Sequence, residues 1–245
     1  MVFLACSPIS PAGSGITTLT PTQLSATYTP TFVWFPPTAT STHSTTISRG
    51  STPTPQPPLE HGEPIYSDDF SSLENWETGE SPEGTISPGV NELSTAVTQP
   101  RGFLFSILKD FSENDYYMEI TANPTICRGK DEYGMLVRVS SSQDLFRFAL
   151  TCDGHARLDR VLKGQASASV PPILSAAVPP GAPSRSRLGV WAKENELRFY
   201  ANGQHLFDIN DASLLNGRLG VFTRAGGEDS VTVNFSDLII YSLLD

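Results

Sequence analysis

The chain has 245 residues, of which 17% are charged, and its formal net charge is −10. A chain of this length forms one or two domains, and its acidic balance argues against a nucleic-acid partner, because phosphate binding requires clustered basic side chains. No run approaches 18 consecutive apolar residues, so the sequence predicts no helix that spans a bilayer.

The first residues predict a lipid anchor. Leu4-Ala5-Cys6-Ser7 is similar to the end of a bacterial lipobox, whose cysteine receives lipid after signal cleavage. Phe3 stands where leucine is usual, and no basic region or adequate apolar region precedes Cys6. We therefore assign residues 1–6 to the remnant of a lipoprotein signal, with lipidation at Cys6 and a cell-surface location. The alternative is an ordinary cysteine near the N-terminus.

The next segment, 7–64, is predicted to be a disordered linker. Residues 7–58 are more than half Ser, Thr and Pro, and Arg49 is their only charged residue. Such a segment buries too little apolar surface to offset the loss of backbone entropy, which is about 1–2 kcal/mol per residue. Repeated Thr-Pro steps favour an extended, semi-rigid spacer.

Residues 65–245 are predicted to form one all-β domain. Short segments with alternating apolar residues are separated by Gly, Pro, Asn or Asp, and no helical periodicity is present. Asn202-Gly203 predicts a type I′ hairpin turn, which requires positive φ at both central residues. This pattern favours an antiparallel jelly-roll sandwich of two sheets. The predicted strands are 65–70, 84–88, 91–97, 103–108, 116–122, 132–140, 143–151, 155–161, 186–193, 196–202, 204–209, 217–224 and 230–243.

The cysteines predict one disulfide. Cys127 and Cys152 bracket a hairpin whose turn lies near 141–142, and Gly129 lets the intervening loop fold back. A Cys127–Cys152 bond indicates an oxidising compartment; two buried free thiols are the alternative. No pair of cysteines or histidines has the spacing of a zinc site, so no cofactor is predicted from them.

Five segments carry a family resemblance: Tyr66-Ser67-Asp68-Asp69-Phe70, Asn75-Trp76, Leu197-Arg198-Phe199-Tyr200-Ala201-Asn202-Gly203-Gln204, Asn216-Gly217-Arg218-Leu219-Gly220-Val221-Phe222 and Val231-Thr232-Val233-Asn234-Phe235-Ser236-Asp237-Leu238. They resemble the concanavalin A-like lectin/glucanase superfamily, especially laminin-G-like and 3-keto-disaccharide-hydrolase-like domains. The resemblance covers roughly 65–245 and implies two curved sheets, often with carbohydrate bound on the concave face.

The resemblance also implies a structural calcium ion between the first and last strands. In similar sandwiches these strands are neighbours, and carboxylates with backbone oxygens hold the ion. The matching residues are Asp68, Asp69 and Asp237. Solvated surface aspartates are the alternative.

No catalytic motif is found. Catalytic members resembling laminarinases carry paired glutamates in an E-x-D-x-x-E strand, and this chain has no such segment. Retaining glycoside hydrolysis needs two carboxyls about 5–5.5 Å apart, which alternation along one strand supplies most simply. An enzyme would have to use other carboxylates, such as Asp131, Glu132 or Asp159.

Strand alternation predicts a ligand-binding surface. If Phe146 and Phe148 face the core, then Arg147 faces outward. The same argument places Tyr133, Met135, Val137 and Val139 in the core, which exposes Arg138, and it applies to the other strands. An aromatic platform with guanidinium donors suits a sugar ring or an anion. Packing under a loop, with the arginines in ion pairs, is the structural alternative. The outward set is Arg138, Arg147, Trp191, Arg198 and Tyr200.

Together these observations predict a lipid-anchored, extracytoplasmic, non-catalytic module that binds a glycan or polysaccharide. The alternatives are a glycoside or 3-keto-disaccharide hydrolase and an envelope protein-interaction module without a small ligand.

Overall fold

The computed structural model describes residues 61–111 and 113–244, and every regular element in them is a β strand. Within these ranges no helix is long and apolar enough to cross a membrane. The predicted lipidation site, Cys6, and the linker up to residue 60 lie outside the described residues.

In residues 61–111 and 113–244, fifteen strands form two antiparallel sheets. The nine-stranded sheet has the order β13-β12-β11-β6-β15-β4-β3-β2, with β1 paired to β15, and the six-stranded sheet has the order β10-β9-β8-β7-β14-β5. The strands are β1 Pro64–Asp68, β2 Gly79–Ser81, β3 Gly84–Pro88, β4 Leu93–Val97, β5 Phe103–Ile107, β6 Tyr116–Ile126, β7 Glu132–Ser141, β8 Asp144–Thr151, β9 His155–Leu162, β10 Gln165–Leu174, β11 Ser186–Lys193, β12 Glu196–Ala201, β13 Gln204–Asn210, β14 Arg218–Arg224 and β15 Val231–Tyr241.

The predicted fold class is confirmed, and each predicted strand is present. Asn202 and Gly203 both have positive φ, 50° and 74°, as a type I′ turn requires. Sequence patterning missed two strands. β2 has three exposed residues and no apolar one, whereas β10 contains Pro171 and Pro172, which argue against a strand. Those prolines are tolerated because β10 pairs only with β9, at the edge of its sheet.

The core lies between the inner faces of the two sheets. Phe148 from the six-stranded sheet packs on Phe199 from the nine-stranded sheet, with ring centroids 4.9 Å apart. Burying one such ring stabilises the fold by about 1.5–3 kcal/mol. Thr95 on β4 and Thr223 on β14 form a buried hydrogen bond of 2.5 Å between the sheets. The threonine pair therefore satisfies two polar groups inside an otherwise apolar core.

The predicted disulfide is confirmed. Cys127 follows β6 and Cys152 follows β8, and their Cα atoms lie 5.8 Å apart. The hairpin has the predicted register at this end, since the Cys152 amide donates to the Asp131 carbonyl at 3.0 Å. Because β6 and β8 belong to different sheets, the bond ties the two layers of the sandwich together.

A β-bulge in β7 makes one predicted orientation wrong. Tyr133, Met135 and Val137 are in the core as predicted, but the pairing with β8 shifts between Val137 and Ser141, where Arg138 has a φ of 53°. The extra residue reverses the alternation. Arg138 therefore points inward and is 1% exposed, whereas Val139, predicted to be in the core, packs on the outer face.

The fold also begins earlier than the predicted boundary at residue 65. The Gly62 amide donates to the Ser242 carbonyl at 2.8 Å, and the Ser242 amide donates to the Glu63 carbonyl at 3.0 Å. Residues 61–64, predicted to belong to the linker, therefore extend the pairing of β1 with β15.

Candidate functional site

The outer face of the six-stranded sheet, called here the six-stranded face, carries a second apolar cluster that is separate from the core. Strand pairing aligns Phe105 with Phe222, and Ile107 with Gly220, on neighbouring strands. Leu136 on β7 lies opposite Arg147 on β8. The cluster comprises Ile107, Leu136, Val139, Leu145, Ala149 and Phe222, with half-buried Phe103, Phe105 and Val161 packed against it.

Side chains from several strands meet over the middle of the six-stranded face at this cluster. Arg147 on β8 donates to Asp159 on the neighbouring strand β9 at 2.6 Å. Its guanidinium carbon Cζ also lies 5.7 Å from the ring centroid of Phe103 on β5 and 5.9 Å from that of Phe222 on β14. β8 and β5 are three strands apart, about 14 Å in a flat sheet. The long side chain of Arg147 therefore lies across the neighbouring strands and reaches both rings.

An ion-pair network lies beside the aromatic rings on this face. Arg157 donates to Asp159 at 2.5 Å and to Glu132 at 3.3 Å, and Arg224 donates to the other Glu132 oxygen at 3.3 Å. Burial alone would lower the pKa of Arg157, but Asp159 and Glu132 outweigh it, so this pKa is raised. These guanidinium groups therefore lie beside the rings, with hydrogen bonds directed to carboxylates within the chain.

Two shallow depressions run along the β5 edge of the six-stranded face. One has a volume of about 260 Å³, and the other has a volume of about 280 Å³. They share Glu77, Phe103 and Phe105. The 260 Å³ depression is lined by Phe103, Phe105, Ile107, Leu136, Val139 and Leu145, with Glu77, Ser142 and Arg218 at its rim.

The predicted ligand-binding residues divide among three places. Trp191, Arg198 and Tyr200 come together on the outer face of the nine-stranded sheet, where Trp191 pairs with Arg198 across β11 and β12. Arg147 lies on the six-stranded face. Arg138 is in the interior, so the prediction that it faces outward is wrong.

On the nine-stranded sheet, Arg198 covers one ring face of Trp191. The guanidinium carbon lies 4.2 Å from the ring centroid, and Nε donates to Glu196 at 2.7 Å. The hydrogen bond with Glu196 raises the pKa of Arg198, and burial raises the pKa of Tyr200. The Arg198 guanidinium is therefore already bound within the chain, by the hydrogen bond to Glu196 and by the stacking contact with Trp191.

Tyr117, beside this patch, was not singled out from the sequence. Its hydroxyl donates to Glu119 at 2.6 Å, and Arg187 donates to the other Glu119 oxygen at 3.0 Å. Burial raises the pKa of Tyr117. A Cβ at Gly189 would lie 2.9 Å from the Tyr117 hydroxyl, so glycine is needed for the tyrosine to lie across β11.

The three aspartates of the predicted calcium site line one depression of about 560 Å³ at the paired ends of β1 and β15. Asp68 already accepts hydrogen bonds from the Trp76 indole at 2.8 Å and the Phe70 amide at 2.7 Å. Asp237 pairs with Arg185 at 3.4 Å. Among residues 61–111 and 113–244, no three His, Cys, Asp or Glu side chains are grouped to hold a metal ion. Calcium at Asp68, Asp69 and Asp237 stays a prediction.

The three carboxylates considered for catalysis, those of Asp131, Glu132 and Asp159, all accept hydrogen bonds from groups of the fold. Asp131 accepts the amides of Arg128 at 2.8 Å and Gly226 at 2.9 Å, which closes the loop before β7. Glu132 and Asp159 each accept from two arginines in the network described above. Their side chains are 7% and 2% exposed. A general acid requires a carboxyl that can give up a proton to substrate, and these two are held as ion-pair partners instead.

Sequence reasoning missed most of the six-stranded face. The sequence pattern places Phe103, Phe105 and Phe222 in strands but does not predict on which side of the sheet their side chains lie. A signal was nevertheless present, because the segments Phe103-Leu104-Phe105 and Val221-Phe222 are apolar on both parities. A strand that is apolar on both faces predicts a second apolar surface opposite the core.

Neither a protein-family model nor a curated protein matches the sequence. Solved structures are similar in fold. A carbohydrate-binding module, CBM66 from Bacillus subtilis, superposes with a TM-score of 0.51 at 14% identity, covering 69% of this chain and 96% of that chain.

Two further structures agree. A protein of unknown function with a galectin-like fold from Bacillus subtilis has a TM-score of 0.55 at 12% identity, covering 76% of this chain and 98% of that one. The catalytic domain of a laminarinase from Thermotoga petrophila has a TM-score of 0.55 at 11% identity, covering 76% and 100%. With the two-sheet topology, these likenesses show that the described residues have the concanavalin A-like, galectin-like jelly-roll fold.

Proposed function

We propose that this chain is a carbohydrate-binding module whose ligand lies on the six-stranded face. The observation that carries the proposal is the 260 Å³ depression on this face, which is lined by the partly exposed rings of Phe103 and Phe105 and has the guanidinium of Arg218 at its rim. A sugar ring presents apolar C–H faces, which pack on aromatic rings, and oxygens, which accept from guanidinium groups.

The described roles of two similar structures support this proposal. One is described as a carbohydrate-binding module and another as the catalytic domain of an endo-1,3-β-glucanase, so the same fold acts on carbohydrate in both. Fold alone does not establish function. The weight of the proposal therefore rests on the rings and arginines of this chain.

The patch of Trp191, Arg198 and Tyr200 on the nine-stranded sheet is the second candidate surface. Its indole offers a large ring, but Arg198 covers one face of it at 4.2 Å. We therefore favour the six-stranded face, where the partly exposed rings of Phe103 and Phe105 line a depression.

A glycan-array screen of the full chain, repeated with matched variants, tests which of the two surfaces binds glycan. We expect Phe105→Ala to weaken glycan binding about tenfold or more, because a buried aromatic contact contributes about 1.5–3 kcal/mol. Trp191→Ala, the control on the other sheet, should bind as the parent does. Melting curves verify that both variants fold.

Each contrary result has a defined meaning. Loss of binding in Trp191→Ala but not in Phe105→Ala would move the site to the nine-stranded sheet. Release of reducing sugar during the screen would favour the hydrolase alternative. A parent protein that binds no glycan would contradict the proposed function and favour an envelope protein-interaction module.

We further propose that the module acts outside the cytoplasm and is anchored by lipid on Cys6. The Cys127–Cys152 bond supports the location, because disulfides persist in oxidising compartments. We expect Cys6→Ser to move the expressed protein from the membrane fraction to the soluble fraction. A serine variant that remains in the membrane fraction would contradict the anchor.

A further inference from the structure

The rings of Phe103 and Phe105 form a wall between the two depressions at the β5 edge. Both side chains are partly exposed, and they lie on the same side of β5 with their ring centroids 5.8 Å apart. They line the 260 Å³ depression and also the 280 Å³ depression. The two depressions are therefore neighbours with one aromatic wall in common, called here the Phe103–Phe105 ridge.

The other lining residues place the depressions on opposite sides of the ridge. The 260 Å³ depression lies over β7 and β8, where Leu136 and Leu145 belong to its floor. The 280 Å³ depression reaches β2 and β3, through Ser81 and Ile86. Because β5 and β2 are the last strands of their sheets, a path from one depression to the other crosses β5 at the edge of the sandwich.

Neither depression alone has the size of a site for a whole small molecule. Each volume is below the range of about 300–1,000 Å³ that is typical of such sites, whereas the two depressions together lie within it. A ligand that uses this surface fully therefore has at least two parts, which are joined over the ridge. Two sugar units joined by a glycosidic bond meet this requirement, since each unit offers an apolar C–H face to the rings.

Polar groups at the margins supply partners for the hydroxyls of both units. Glu77 lines both depressions, and its Oε1 lies 3.8 Å from Arg218 Nη1, beyond hydrogen-bond distance, so the carboxylate can accept from a sugar hydroxyl. Arg218 lines only the 260 Å³ depression, whereas Thr78 and Glu80 line only the 280 Å³ one. Glu77 and Glu80 would repel an acidic sugar, so the margins suit an uncharged chain.

We propose that the β5 edge binds an internal segment of a linear, uncharged glycan, with consecutive sugar units on either side of the Phe103–Phe105 ridge. This inference rests on the proposed function, because it names the class of glycan that the site takes. Both depressions are shallow, so the chain can continue beyond each of them, and neither depression encloses a chain end.

Oligosaccharide length provides the first test. Cello-, laminari-, xylo- and manno-oligosaccharides of one to six units are titrated into the full chain by calorimetry. We expect at least one series to gain affinity about tenfold or more between the monosaccharide and the trisaccharide, because a second unit adds the second depression and the other side of the ridge.

Blocking variants locate the two halves of the site. Ser142→Trp places a large ring at the 260 Å³ depression from the exposed turn between β7 and β8, and Thr78→Trp does so at the 280 Å³ depression from the exposed segment before β2. We expect each variant to reduce the affinity for the hexasaccharide to that for the monosaccharide. Ser167→Trp makes the same change on β10, at the opposite edge of the six-stranded sheet, and should keep the gain. Melting curves verify that all three variants fold.

The number of chain ends separates an internal segment from a terminus. The parent polysaccharide of the series that binds, a glucan, xylan or mannan, is partially hydrolysed, which adds ends at constant mass. We expect the protein bound per mass of polysaccharide to stay unchanged while the fragments remain longer than the hexasaccharide. A site for a terminus would instead gain binding in proportion to the new ends.

The outcomes are distinguishable. A gain with length that both blocking variants remove, with binding unchanged by partial hydrolysis, supports the inference. Equal affinity for all lengths, a gain that either blocking variant leaves intact, binding that rises with the number of ends, or array binding only to glycans outside these series overturns the inference and leaves the proposed function standing. A parent protein that binds no glycan overturns both.

Discussion

Replacing Cys127 and Cys152 together by serine is expected to lower the free energy of unfolding by about 3–4 kcal/mol. The bond joins residues 25 positions apart, and closing a loop of this size restricts the unfolded chain by that amount in the chain-entropy model. In a domain of this size the melting temperature should fall by roughly 10 °C. Denaturant unfolding monitored by tryptophan fluorescence measures the change.

Reduction provides the matched comparison for this prediction. Parent protein unfolded in excess reductant should match the double serine variant, because both lose the same cross-link. The variant Cys127→Ala/Cys152→Ala shows whether the buried serine hydroxyls add to the loss. A double variant within about 1 kcal/mol of the oxidised parent would contradict the stabilising role of the bond.

Replacing Arg138 by alanine is expected to cost about 2–4 kcal/mol. Its guanidinium donates to the Leu214 carbonyl at 3.0 Å and to the Glu194 carbonyl at 2.5 Å, so it links the loop before β14 to the turn between β11 and β12. Arg138 takes part in none of the ion pairs between the described residues. Truncation therefore removes two charge-assisted hydrogen bonds and leaves a cavity.

The matched variants separate these two contributions. Arg138→Met keeps most of the volume and also removes the desolvation cost that lowers the pKa of Arg138, so it should lose less stability than alanine. Arg101→Ala, at an arginine whose side chain is 79% exposed, should change stability by less than about 0.5 kcal/mol. Equal stability of Arg138→Ala and Arg101→Ala would show that the buried guanidinium is not needed to link these loops.

The fold was predictable because its signals are local. Alternating apolar residues mark the strands, and Asn202-Gly203 marks a turn whose positive φ angles the structure bears out. The Cys127–Cys152 pairing followed from the register of one hairpin, which the Asp131 carbonyl to Cys152 amide bond confirms. Each of these inferences needs only residues that are close in sequence or joined by one turn.

The candidate surface was less predictable because it depends on strand order. Alternation correctly placed Arg147 and Trp191 on outer faces, but it carries no information about which sheet holds each strand. β8 and β11 belong to different sheets, so the predicted set could not form one surface. A single bulge at Arg138 also reverses the alternation in β7, and the sequence around Arg138 contains no residue that predicts a bulge.

The pairing of residues 62 and 63 with Ser242 has an engineering consequence. The polypeptide enters and leaves the sandwich at one point on the β1–β15 pair, so a short graft could join these ends and the backbone could be reopened elsewhere. The hairpin tip at Val90, which is 92% exposed, is a natural place for new termini, since cuts are best tolerated at exposed turns. The same geometry would let the whole sandwich be spliced into a surface turn of a host protein without stretching either partner.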